Sequence, residues 1–220
     1  MLSLFTVDNN VCRKSVFLNH VGSTLRGLYY EASENIPIAI QALGHIRRVV
    51  QDCPENGILS VLSSLADGLS AWIGDEDEVL LVQDHNDVVS NLNHLHLDNA
   101  YGSQVVPLYC DALNALRKIP MTSDTLQAFA AFFCSAFVRI PEPATGPLAF
   151  CDFWTHIQPS LTHLNGAYPE EIKAALRASH DVLGIDVPSC LSLETDLDGR
   201  SLVLVRIVLH TSYFRHWARR

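Results

Sequence analysis

The chain has 220 residues, 48% of them hydrophobic and only 18% charged, and carries a net charge of −9 at pH 7. Fifteen Lys and Arg against 24 Asp and Glu argue against a general phosphate-binding protein, because counterion release from nucleic acid needs a surplus of cations. A charged fraction below the usual ~25% predicts helices buried on more than one side, or an apolar surface that a partner covers.

The elements follow in chain order. Residues 11–30 carry Val16, Phe17, His20, Val21, Leu25 and Leu28 at helical spacing, interrupted by the poor helix formers Gly22 and Gly27. Next comes the strongest helical signal. Ile36, Ile40, Leu43, Ile46 and Val50 predict a helix over 36–52, and Ile58, Val61, Leu62, Leu65, Leu69 and Trp72 a second over 57–73. Pro37 suits a first helical turn, and Pro54 and Gly57 punctuate the connection, so the two read as an antiparallel pair. Asp75, Glu76, Asp77 and Glu78 then open a shorter predicted helix, where carboxylates complement the positive end of the helix dipole.

Residues 84–104, rich in Asn, Asp and His and without a clean period, read as an inserted loop of the length that tends to carry function. Helical periodicity resumes over 105–116, with Pro107 in the first turn and Val106, Tyr109, Cys110, Leu113 and Leu116 on one face. Thr122 or Ser123 is placed to cap a helix over 126–138 that holds Phe129, Phe132, Phe133 and Phe137 and is apolar nearly all round. The segment Pro141-Glu142-Pro143-Ala144-Thr145-Gly146-Pro147 forbids a helix across it. A helix over 148–157 with Phe150, Phe153, Trp154 and Ile157 follows, and a last one opens at Pro169 and stops at Gly184. In the tail, alternating residues around Asp198-Gly199, with Val203, Val205, Ile207 and Leu209 beyond, read as a β-hairpin.

The expected fold is therefore all-α: stacked antiparallel helix pairs of α-solenoid type over 11–184, with the 84–104 insertion, and a hairpin or tail over 185–220. The pairs would be 36–52 with 57–73, 105–118 with 123–139, and 147–158 with 168–183. Cys12, Cys53, Cys110, Cys134, Cys151 and Cys190 form no CxxC and are too few for a disulfide framework, which predicts reduced thiols in the cytoplasm or nucleus. No secretory leader is expected, since Val7-Asp8-Asn9-Asn10 interrupts the N-terminal apolar residues. No membrane partner is expected either, the run Leu202 to Leu209 being short and holding Arg206.

The chemistry-bearing patterns are sparse. His94 and His96, two apart, would share one side of a strand and face a common zinc, with Asp98, His85, Asp84 and Asp87 as neighbours, yet no third ligand stands at a diagnostic spacing. Cys151, His156 and His163 allow a Cys–His reading that the surrounding aromatic periodicity makes unnecessary. GxSxG, Walker A and GxGxxG are absent. Phe129, Phe132, Phe133, Phe150 and Trp154 would line an apolar-ligand pocket or form an ordinary core. Trp72, if half exposed beside Asp75, Glu76, Asp77 and Glu78, would make a partner-binding anchor; its spacing with Leu65 and Leu69 equally fits the core.

The recurring helix pairs, with Pro37 and Pro107 near the starts of first helices, resemble HEAT and armadillo repeats. The stretches Pro107-Leu-Tyr-Cys-Asp-Ala-Leu and Val138-Arg-Ile-Pro-Glu-Pro-Ala look like segments of a large nuclear HEAT scaffold of the telomere and replication-timing kind. The regular Asp and Lys/Arg positions of HEAT second helices are not found in this chain. What the resemblance implies is a non-catalytic, cofactor-free scaffold that binds protein partners as part of a larger assembly. A small metal-dependent protein using His85, His94 and His96 is the alternative, and an apolar-ligand-binding helical domain the second.

Overall fold

A computed structural model describes residues 20–32, 36–75, 101–139, 144–164 and 167–183, and every regular element among them is helical. The expected hairpin, the His-rich part of the insertion and the acidic residues Glu76 to Glu78 lie outside the described residues. The chain divides into two compact units, Met1–Ile119 and Pro120–Arg220, and the expected array over 11–184 spans that division.

The first unit contains helix α1 (residues 20–30), α2 (Ile36–Gln51), α3 (Glu55–Gly74), a single π-helical turn (Tyr101–Val105) and α4 (Val106–Leu116). α2 turns Ala39, Leu43, Ile46 and Val50 inward, spaced by three and four residues, and α3 does the same with Ile58, Leu62, Leu65, Leu69 and Trp72. Pro54 occupies the N-cap position of α3, where a missing N–H removes no helical bond. α4 packs against both α2 and α3, so these three helices form one core around Leu108, Tyr109, Ala112 and Leu113. Polar groups tie α2 to α4: Arg47 and Gln51 both donate to the Asp111 carboxylate, the latter at 2.8 Å.

The widened turn before α4 has a sequence cause. Pro107 offers no N–H to the carbonyl one turn back, and its ring crowds that oxygen, which a π turn relieves. Tyr101 to Gln104, expected to close a loop, are thereby drawn into the start of the helix. Tyr101 is buried there and donates its hydroxyl to the Ile73 carbonyl at 2.6 Å.

The two glycines that weaken the helical pattern over 11–30 turn out to differ. α1 buries Gly22, Leu25 and Tyr29, while His20, expected on that face, is exposed. A Cβ on Gly22 would collide with the Ser64 carbonyl oxygen of α3. A Cβ on Gly68, one turn further along α3, would stand 2.8 Å from the Gly22 oxygen and 3.1 Å from Leu25 Cβ. α1 and α3 therefore cross backbone to backbone, which only residues without side chains allow. Gly27, by contrast, has nothing near its absent Cβ.

The second unit contains α5 (Ser123–Ala128), α6 (Ala130–Ser135), α7 (Thr145–Ile157), a 3₁₀ segment (Gln158–Leu164) and α8 (Glu170–Leu183). Thr122 caps α5, its hydroxyl accepting from the Thr125 N–H at 3.2 Å. The helix expected over 126–138 breaks at Phe129, where φ is −107° and ψ 8°, and nothing in the local sequence marks that break. It is also not apolar all round in its setting, since Gln127, Ala128 and Ala131 are exposed. α7 ends at Ile157 because Pro159 has no N–H to continue the ladder, and the chain tightens into the 3₁₀ segment. α8 opens with Glu170 and Glu171 in its first turn and presents Ile172, Ala175, Leu176 and Ser179 to α6 and α7.

The core of this unit is aromatic. Phe133 lies 5.1 Å from Phe153 and 6.4 Å from Phe150; Phe137 meets Phe150 edge-on at 5.4 Å; Trp154 stacks on Phe150 and meets Tyr168 edge-on at 5.1 Å. These offset and edge-to-face contacts are the arrangements that ring quadrupoles favour.

The close crossing makes a sharp test. Gly22→Ala should lower stability by about 1–3 kcal/mol or more, because backbone rather than a flexible side chain must give way. Gly27→Ala should raise it by about 0.5–1 kcal/mol, since the new methyl enters open space on a helix. Urea unfolding followed by circular dichroism measures both, and equal effects at the two sites would contradict the packed crossing.

Candidate functional site

The residues singled out for partner binding begin at the C-terminal end of α3. Trp72 is 2% exposed and belongs to the core of the first unit, so the half-exposed anchor expected there is not what the fold builds. Its indole N–H donates to the Leu25 carbonyl of α1 at 2.8 Å, and its ring meets Tyr29 edge-on at 5.6 Å. The cause lies in the Gly22–Gly68 crossing. Helices that close bring Trp72, one turn beyond Gly68, against the next turn of α1.

Asp75 is buried at 3% exposure and accepts a hydrogen bond from the Tyr29 hydroxyl at 2.9 Å. It does not start a helix, as its place in the acidic run suggests; it ends α3. With φ at 46° it takes the left-handed cap conformation, its N–H returning to the Ala71 carbonyl at 3.0 Å, which an Asp tolerates better than most residues. Among the described non-glycine residues it is the one with positive φ. Trp72, Tyr29, Asp75 and Tyr101 thus form a buried polar-aromatic cluster around the last turn of α3, and the acidic run departs from that fixed point.

The remaining candidates separate. His85, His94, His96 and Asp98, with Asp84 and Asp87, lie outside the described residues. Among the described residues no group of three or more His, Cys, Asp and Glu side chains is placed to hold a metal. Cys151 is buried and bonded to Ser179, whereas His156 and His163 are exposed, the latter's Nδ1 lying 3.0 Å from the Ser160 carbonyl. Those three residues therefore make no Cys–His pair.

Removal from water pushes every described thiol upward. Cys134, whose Sγ donates to the Glu171 carbonyl at 3.0 Å, is pushed to about 12 by burial, with the Glu171 charge adding to it. Burial also raises Cys53, Cys110 and Cys151. A nucleophilic or metal-binding cysteine needs the opposite displacement. Phe129, Phe132, Phe133, Phe150 and Trp154 are each at most 4% exposed and lie against one another rather than around a void.

What sequence reasoning missed lies on the outer side of α2. Ile38 is 57% exposed and Val49 50%, the two most exposed large hydrophobic residues of that helix. The signal was present: both fall outside the inward spacing of Ala39, Leu43, Ile46 and Val50. Compared with known proteins, the chain matches no family model, no curated protein and no solved structure.

Two measurements check this geometry. Trp72→Phe, which keeps a ring but removes the donor to Leu25, should cost about 1–3 kcal/mol, because a buried carbonyl loses its partner; a change below a few tenths would place the indole at the surface. Cys134 ionises in the unfolded chain near 9 and in the folded one only at about 12, so the folded state holds the extra proton between them and stability falls as pH rises through that window. Cys134→Ala should flatten this alkaline loss, read as Tm against pH; an unchanged slope would rule out the buried thiol as its source.

Proposed function

We propose that the chain is a non-catalytic helical scaffold that binds protein partners, a stacked-helix module of HEAT or armadillo kind working inside the cell within a larger assembly. The observation that carries this reading is how the helices spend their apolar surface. α2, α3 and α4 bury one face each in a common core, and α2 still presents Ile38 and Val49 to solvent. The low charged fraction of the chain supports it in the same direction, since a surface short of charge is one that a partner covers. The raised thiols weigh against cysteine chemistry at the described positions. The ring-on-ring packing of the Phe-rich helices favours a core over a ligand pocket.

Native mass spectrometry before and after chelation, paired with chemical cross-linking in cell extract, tests the proposal. The scaffold predicts a bare chain mass that chelator leaves unchanged, and cross-linked complexes of defined stoichiometry with another protein. A stoichiometric metal lost on chelation would replace the scaffold with the His85, His94 and His96 reading, and a bound organic mass would replace it with the apolar-ligand reading.

A further inference from the structure

We propose that the outer face of α2 is the docking surface for an acidic amphipathic helix of a protein partner. The inference rests on the scaffold reading and names its surface and the chemistry of what it binds.

Four positions of α2, Ile38, Ala42, His45 and Val49, are spaced i, i+4, i+7 and i+11 and share one stripe of the helix. Ile38 and Val49 are 57% and 50% exposed, His45 is exposed and Ala42 half-buried. The two apolar ends stand three turns apart, roughly 16 Å along the axis, which is the footprint of a docked helix with anchors at the same spacing. Single exposed hydrophobics are ordinary on any surface, and the two further features below distinguish this stripe.

The first is charge. α2 contains no Asp or Glu in its 16 residues, in a chain where acids outnumber bases. Arg47 is taken up by Asp111, so it serves the core. Arg48 and His45 are exposed beside the stripe, and the nearest acid on that side is Asp52, past the helix end. The apolar stripe is thus flanked by cationic or proton-accepting groups, and the complementary partner carries carboxylates along the edge of its own apolar stripe.

The second is Gly44. Gly22 and Gly68 abut a neighbouring helix, but a Cβ on Gly44 would meet nothing within 4 Å. A glycine in a helix interior costs about 1 kcal/mol against alanine, and no internal contact accounts for it. Gly44 sits one turn before Arg48 on the same flank, so the missing side chain leaves open the space beneath the guanidinium where a partner's carboxylate would enter.

The probe is a fluorescein-labelled synthetic helix of roughly 16 residues, with Leu at i, i+4, i+7 and i+11 and Glu at the flanking positions, compared with its Lys counterpart. Anisotropy titration against the full chain should give saturable binding of the Glu peptide with a Kd of about 1–100 μM, weakened by salt, and weaker binding of the Lys peptide. Ile38→Asp and Val49→Asp should each weaken the Glu peptide about tenfold or more. Arg48→Glu should narrow the preference for Glu over Lys. Leu59→Asp, at an exposed apolar position of α3, should change neither. Circular dichroism confirms folding, and two stripe variants guard against failure of one.

Binding insensitive to the α2 substitutions, equal binding of the Lys peptide, or no saturable binding would overturn the proposal. A photo-cross-linking residue at position 45 and another at position 59 separate this from failure of the scaffold reading. Partners captured at 59 and not at 45 sink the α2 face and leave the scaffold standing; capture at neither sinks both.

Discussion

The close crossing of α1 over α3 is the constraint from which the first unit follows. With Gly22 against the Ser64 carbonyl and Gly68 against the Gly22 oxygen, two backbones touch where side chains would normally hold helices 8–10 Å apart. Everything toward the C-terminal end of α3 inherits that geometry. Trp72 reaches the Leu25 carbonyl, Tyr29 reaches Asp75, and Tyr101 caps the Ile73 carbonyl. Each of these satisfies a polar atom that burial would otherwise leave costly. The exposed Arg26–Asp67 pair also bridges the two helices, at 2.8 Å, but side chains that open to water contribute little.

The second unit solves the same problem with different material. Its helices are short and interrupted, and α5 and α6 are each six residues long, below the length at which propensity sustains a helix unaided. What holds them is the chain of rings from Phe129 through Phe133 and Phe150 to Trp154 and Tyr168. The Trp154 indole nitrogen is buried without a hydrogen-bond partner, and its edge-on contact with Tyr168 is the polar interaction that remains to the indole ring. Buried thiols at Cys134 and Cys151 fill gaps as small hydrophobes, which is why their ionisation is suppressed.

Much of the helical content was legible. The periodic runs ending at Val50, Trp72, Leu116 and Ile157, with Pro54, Pro107 and Pro159 as punctuation, place α2, α3, α4 and α7 to within a few residues of the observed bounds. Pairing was not legible. Sequential order suggests that the helix over 105–118 partners the next one along, whereas α4 packs on α2 and α3, a choice made by Asp111 receiving Arg47 and Gln51 from far earlier in the chain. Gly22 reads as a helix weakness because intrinsic propensity is a local quantity, and the neighbour that needs a glycine there lies some forty positions away. Trp72 and Asp75 read as surface for the same reason: a run of acids looks solvated until Tyr29 is found beside its first member. The α2 face was overlooked because attention to motifs favours unusual residues, and that face is distinguished by what it lacks.

Hydrogen exchange of the amides in α1 and α3 is the measurement that tests the crossing most directly. If the two helices are one cooperative unit, residues 20–30 and 55–74 will open with the same free energy, close to that of global unfolding of the first unit, and Gly22→Ala will lower both together. Protection of α3 with α1 exchanging freely would mean that the crossing does not hold α1 in place, and the cluster at Trp72 would then need another origin.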